Sequence, residues 1–155
     1  MNFYPQNFWI PLLVMLPNII FALFPPSDTP VEPKRPSYWK IVIFFERIGQ
    51  VGIVVLPFFW KLRIDRIINS YPLIIMTLCT ILYYYCWVRY LKNGRKFHML
   101  YEKFFIVLIP LAILPVIYYF AASIALNSWV LAFFTIILGI GHIPEGYMCY
   151  LENKK

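Results

Sequence analysis

Residues 39–60, WKIVIFFERIGQVGIVVLPFFW, decide the fold of this chain. The stretch is apolar and has a tryptophan at each end, with Glu46, Arg47 and Gln50 inside it. As a helix it is about 30 Å long, which matches the hydrocarbon core of a bilayer. An ionised side chain at the centre of such a helix costs roughly 2.5 to 3.5 kcal/mol on insertion scales, so charges there usually face polar groups within the protein. The stretch therefore predicts a membrane helix whose polar residues take part in function.

The composition extends this prediction to the whole chain. Hydrophobic residues make up 61% of the 155 residues and charged residues 14%, whereas a soluble domain has roughly 25% charged residues. The mean hydropathy is +0.68. Because no long polar segment interrupts this pattern, we predict one transmembrane domain over residues 1–155, in a multi-pass protein of a plasma or inner membrane.

The charges and cysteines exclude several classes of site. The net charge is +7, but the basic residues stand at the ends of apolar stretches, where they set topology and contact lipid headgroups. Cys79, Cys86 and Cys149 form no CxxC pair or metal-ligand pattern and are expected to pack as small apolar residues. The sequence therefore predicts no nucleic-acid partner, no metal and no cofactor.

Five apolar stretches predict an all-α bundle of five transmembrane helices. A proline-rich connector at 25–37 is expected to be extended, and Ile64, Ile67 and Ile68 in the basic loop 61–71 are expected to lie on the bilayer surface. Asn93-Gly94 and Asn127-Ser128 predict tight connections. The predicted spans are 8–24, 39–60, 72–88, 104–124 and 129–148.

The basic residues also predict the orientation. With five spans the two termini lie on opposite sides of the membrane. Lys61, Arg63 and Arg66 fall on one side, and the other basic residues outside the spans fall on the opposite side. By the positive-inside rule the richer side is cytoplasmic, which places the N-terminus outside and the C-terminus inside.

Polar side chains on several predicted helices fall at one depth, roughly 10 to 15 Å from the cytoplasmic interface when residues are counted from the helix ends. Isolated polar residues would be interpreted as snorkelling or capping groups. A shared depth instead predicts a polar cavity that opens toward the cytoplasm. The predicted ligand-binding residues are Asn18, Glu46, Arg47, Gln50, Tyr83, Tyr84, His142 and Glu145.

Angular spacing predicts which of these residues pair. Glu46 and Arg47 are neighbours in sequence but point about 100° apart on a helix, so each needs another partner. We expect Arg47 to pair with Glu145 between the second and fifth helices. Glu46 is expected to lie near Asn18 or His142.

The fifth span contains GIGHIPEG at residues 139–146. Its glycines and Pro144 disfavour a regular helix. An irregular backbone at membrane depth is tolerated where it is buried in protein or lines a wet cavity, and in transporters such breaks mark ligand sites. The alternative is that the helix ends near Gly141 and residues 142–150 lie at the interface.

Three functions remain open. The protein binds or helps to move a small amphipathic or lipid-like molecule, with Arg47 holding an anionic group. Alternatively, it is an accessory or immunity-type subunit without turnover, which assembles with a membrane protein or with copies of itself. The third function is a membrane enzyme that uses Glu46, His142 and Glu145 as acid and base. No nucleophile motif or metal-ligand pair accompanies these residues, so the sequence favours the first function and a protein that is not an enzyme.

Overall fold

The computed structural model describes residues 2–28, 35–62, 70–104 and 106–153, which form an all-α protein. Short 3-10 turns at Pro5–Phe8 and Leu56–Phe59 precede the first helix and extend the second. The predicted five-helix architecture is confirmed. The helices are α1 (Trp9–Leu23), α2 (Trp39–Val55), α3 (Tyr71–Lys92), α4 (Pro110–Ala125) and α5 (Trp129–Glu152).

Four helical stretches are long and apolar enough to cross a membrane, in agreement with a multi-pass membrane protein. Many large apolar side chains are exposed on their outer faces, as expected where lipid replaces water as the solvent. The orientation of the termini stays a prediction. The four stretches are Pro5–Leu23, Trp39–Phe59, Tyr71–Lys92 and Trp129–Glu152.

The fourth helix is shorter than predicted. It begins at Pro110 instead of residue 104 and has 16 residues. Ile109 has φ −136° and ψ 73°, outside the helical region, because the ring of a proline disfavours the helical conformation of the preceding residue. Phe104 and Val107 instead exchange two backbone hydrogen bonds of 3.0 Å. Residues 104–109 are all apolar, and hydropathy alone therefore extends the predicted span back to residue 104.

The prediction of a broken fifth helix is wrong, because α5 is continuous from Trp129 to Glu152. Its glycines allow other helices to approach closely. A Cβ atom on Gly141 would lie 2.5 Å from the backbone nitrogen of Glu46 in α2, and one on Gly146 would lie 2.8 Å from the Cβ of Ala112 in α4. Small residues at helix contacts are common in membrane proteins for this reason.

The helices follow one another around the bundle in the order α2, α5, α4, α3, α1. Each packs mainly against its neighbours in this order, and direct contacts between α1 and α2 are sparse. The 3-10 turns Pro5–Phe8 and Leu56–Phe59 join these two helices at one end, where the amide of Tyr4 donates to the carbonyl of Phe58 at 2.7 Å. Beyond this junction the ring of helices is open between α1 and α2.

The described connections after α3 and between α4 and α5 contain tight turns at the predicted positions. Gly94 and Arg95 adopt positive φ angles of 77° and 56° in the turn after α3. Asn127 has φ 49° in the α4–α5 connection, and Ser128 caps α5 by accepting a hydrogen bond from the amide of Leu131 at 3.2 Å. The predicted surface isoleucines Ile64, Ile67 and Ile68, and much of the connector 25–37, lie outside the described residues.

Candidate functional site

A cavity of about 460 Å³ lies inside the bundle, and all five helices contribute to its lining. We call it the central cavity. The apolar residues in its lining include Val14, Ile53, Leu111 and Leu138. The polar side chains in the lining are Asn18, Glu46, Arg47, Gln50, Tyr83, Trp87, Tyr101, His142 and Glu145.

Glu46 is the centre of a hydrogen-bonded chain across the contact between α2 and α5. Its Oε1 lies 2.8 Å from Nδ1 of His142 and accepts a hydrogen bond of 3.2 Å from Nε2 of Gln50. The close approach of Gly141 to the Glu46 backbone brings the neighbouring His142 within reach. The structure therefore places Glu46 beside His142, which was one of its two expected partners.

The expected pair of Arg47 with Glu145 is not found. Arg47 is exposed, and its side chain makes one long hydrogen bond of 3.4 Å to Oε1 of Gln50. Among the described residues it has no carboxylate within ion-pair distance. Arg47 thus contributes a positive charge that is not neutralised by a described side chain of the protein.

Glu145 also lines the cavity, but it is held by a separate group of side chains. Nη2 of Arg35 lies 3.2 Å from its Oε1, and Nε1 of Trp39 donates a hydrogen bond to its Oε2. Arg35 also pairs with Glu152 at 3.2 Å, and its guanidinium stacks over the Trp39 ring at 5.2 Å. These contacts, which we call the Arg35 cluster, join the segment before α2 to the end of α5.

The remaining predicted residues occupy different positions. Asn18 is exposed and lines the cavity, and its side chain makes no hydrogen bond within the described part of the chain. It therefore does not donate to the backbone carbonyl that Pro17, which has no N–H, leaves without a helical partner. Tyr83 is buried and lines the cavity, whereas Tyr84 is not part of the lining.

Sequence reasoning missed Arg35, Trp39 and Tyr101. Tyr101 follows α3 in a loop outside the predicted spans, and its hydroxyl lies near Cys149. Burial, followed by the nearby Cys149, Glu145 and Glu46, raises the pKa of the Tyr101 hydroxyl, so it remains a protonated donor at neutral pH.

The sequence does predict that the residues of α5 near Arg35 and Tyr101 share one helix face. The spacing of three and four residues along α5 places several polar side chains on the same face as the buried Leu138. This face continues the apolar stripe of the first half of the helix. The polar residues on it are His142, Glu145, Cys149 and Glu152.

The side chains that line the cavity include one acid–base contact. The Glu46–His142 pair has the contact expected of an acid and a base. However, no serine, threonine or cysteine is among the described residues that line the cavity, and Glu145 is engaged by Arg35 and Trp39. The described part of the chain also contains no group of three or more histidine, cysteine and acidic residues placed to hold a metal ion.

No protein-family model, curated protein or solved structure matches this chain. Any assignment of function therefore depends on the central cavity and on the side chains that line it. The fold is that of an all-α bundle with four helices able to cross a membrane.

Proposed function

We propose that this protein binds a small amphipathic, lipid-like molecule in the central cavity. The observation that carries the proposal is the combination of apolar and polar side chains in the lining of a cavity of about 460 Å³. Ligand sites of small molecules have volumes of roughly 300 to 1,000 Å³ and combine an apolar wall with a few polar groups. An apolar tail can pack against Val14, Ile53 and Leu138 while a polar head contacts the polar side chains of the lining.

The charges favour an anionic or hydrogen-bonding head group. Arg47 is a permanent cation with unfilled donors, and guanidinium groups bind carboxylate and phosphate through two parallel hydrogen bonds. Gln50 and His142 lie in the same hydrogen-bonded chain and supply further polar atoms. Arg35 pairs with Glu145, which weakens the repulsion between this carboxylate and an anion, although Arg35 is shared with Glu152.

Filling the cavity tests the proposal. Val54 lines the cavity, whereas the adjacent Val55 is 45% exposed and is not part of the lining. Val54→Phe should remove volume from the site, and Val55→Phe adds the same atoms outside it. Native mass spectrometry of the detergent-purified full chain measures the fraction that retains an amphiphile from the membrane.

The wild-type chain and Val55→Phe should retain the amphiphile to the same extent, and Val54→Phe should weaken binding by roughly tenfold, equivalent to about 1.4 kcal/mol. Circular dichroism and size-exclusion chromatography check that both variants remain folded. A wild-type chain that carries no amphiphile, or equal retention by the two phenylalanine variants, would refute the proposal.

A further inference from the structure

The central cavity has its most exposed side between α1 and α2. Of the described residues in its lining, Met15, Asn18 and Arg47 are the exposed ones, and all three belong to these two helices. The lining residues of α3, including Tyr83 and Trp87, are buried. The sparse contacts between α1 and α2 are found at the same place in the ring of helices. The opening is therefore lateral and faces the side of the bundle.

The surface around this opening is apolar. On α2, Phe44 and Val51 lie three residues before and four residues after Arg47 on one helix face and are 61% and 65% exposed. On α1, Leu16 and Ile19 are 41% and 51% exposed. In a membrane these side chains contact acyl chains, so the medium outside the opening is hydrocarbon and not water.

Arg47 is costly in this position without a partner. An ionised side chain at the centre of a membrane helix is disfavoured on insertion scales and usually faces a polar partner within the protein. The described residues provide it with a single long hydrogen bond and no carboxylate. An anion that arrives from the bilayer would remove this penalty, and the phosphate of a lipid is the anion that this environment supplies.

We propose that an anionic membrane phospholipid enters the central cavity sideways between α1 and α2, with its phosphate bound by Arg47 and an acyl chain directed toward Trp87. This inference rests on the proposed function and adds the ligand class and its route. The arrangement of charge and exposure supports it: a cation at the rim, apolar flanks outside and an apolar wall inside.

Tryptophan quenching tests the route and the head group together. The full chain is reconstituted in nanodiscs of phosphatidylcholine that contain a minor fraction of brominated phosphatidylglycerol or, for comparison, brominated phosphatidylcholine. Bromine quenches tryptophan only at short range, and Trp87 is buried away from the outer surface. The difference in quenching between the wild type and Trp87→Phe isolates the signal of Trp87.

We expect the anionic lipid to quench Trp87 at a concentration about tenfold lower than the neutral lipid does, a difference of about 1.4 kcal/mol. Arg47→Gln should abolish this preference. Arg89→Gln is the matched control, because Arg89 pairs with Glu102 at 3.0 Å and is not part of the lining, and it should keep the preference. Inorganic phosphate in the buffer should not displace the lipid.

Equal quenching by the two lipids in the wild type would overturn the inference even if Arg47→Gln did not fold. Retention of the preference in Arg47→Gln would overturn it as well, and displacement by inorganic phosphate would indicate a soluble anion. The failure of the proposed function is distinguishable, since then no amphiphile is retained and Val54→Phe behaves as the wild type does. If an amphiphile is retained but Trp87 shows no lipid preference, only this inference fails.

Discussion

Helices α1 and α2 line the same cavity but are held in the bundle in opposite ways. The backbone of α2 contacts α5 so closely that Cβ atoms on Gly49 or Gly141 would lie 2.5 Å from the backbone of the other helix. In contrast, α1 packs mainly against α3. Two tyrosine hydroxyls of other helices donate hydrogen bonds near its two ends, to the backbone carbonyls of Ile10 and Phe24. Close backbone contact therefore fixes the polar residues of α2 and α5 relative to each other, whereas a few individual hydrogen bonds hold α1.

This difference assigns distinct roles to the two sides of the cavity. The Glu46–His142 contact depends on the closely packed pair of helices and needs a fixed geometry. The side formed by α1 has fewer packed neighbours, a property of the less stable and more mobile parts of proteins. Substitutions in the two regions should therefore differ in the size of their effect on stability.

The largest effect is expected for Gly141→Ala. The new Cβ would meet the backbone nitrogen of Glu46 at 2.5 Å, and a backbone cannot rotate away as a side chain can. Forcing the helices apart should lower the free energy of unfolding by about 3 kcal/mol, the upper part of the usual range for overpacking. Thermal unfolding of the purified chain in detergent measures the change.

Gly139→Ala is the matched control on the same helix. Its Cβ would lie 3.3 Å from Cγ1 of Val116, which is the tip of a side chain, and the gain in helix propensity of about 1 kcal/mol for replacing glycine by alanine offsets a small clash. We expect little net change in the free energy of unfolding for Gly139→Ala. Similar unfolding temperatures for the two variants would contradict a close contact between α2 and α5.

The roles of these glycines show where sequence reasoning reached its limit. Hydropathy and tryptophan positions predicted the start of α2 at Trp39, because bilayer thickness constrains the length of an apolar helix. The low helix propensity of glycine, which is a local property of the chain, predicted a break near Gly141. Whether a glycine breaks a helix or admits a neighbour depends on which helix lies opposite, and that is a tertiary property.

In the candidate site, the depth of the polar residues was predictable from the sequence, whereas their pairing was not. Depth along a helix follows from counting residues, so the polar residues were expected at one level, and the structure arranges Asn18, Glu46 and His142 around one cavity. Pairing depends on helix rotation and on distant segments. Arg35, 110 positions from Glu145 in sequence, binds its carboxylate, and no spacing rule connects a connector residue to the fifth helix.

A moderate effect is expected at the first attachment of α1. The side chain of Asn7 is buried and donates hydrogen bonds to the carbonyls of Pro57 at 2.9 Å and Trp60 at 2.8 Å. Asn7→Leu leaves both carbonyls without this donor, which should cost about 2 kcal/mol. The free energy of unfolding, measured by denaturant titration in mixed micelles, gives the change.

Asn18→Leu is the corresponding control, because Asn18 is exposed and its side chain makes no hydrogen bond to the described residues. It should change the free energy of unfolding by less than about 0.5 kcal/mol, as is usual for surface substitutions. An equal loss of stability in the two leucine variants would mean that Asn7 does not attach α1 through its amide.

The smallest effect is expected at the first turn of α1, where two adjacent tyrosines of α4 offer an internal comparison. Tyr118 and Tyr119 are both fully buried. The hydroxyl of Tyr118 donates to the carbonyl of Ile10 at 3.0 Å, whereas the hydroxyl of Tyr119 has no hydrogen-bond partner among the described residues. Tyr118→Phe should therefore lower the free energy of unfolding by about 1 kcal/mol.

Tyr119→Phe removes the same atom from the next residue, but here the hydroxyl is buried without a partner, which itself is unfavourable by about 1 to 3 kcal/mol. Its removal should leave stability unchanged or increase it. Opposite signs for the two variants, measured under identical conditions, would show that a single donor in α4 contributes to holding α1. If both variants lose the same stability, the loss comes from packing of the ring edge, and the hydroxyl of Tyr118 does not contribute to holding α1.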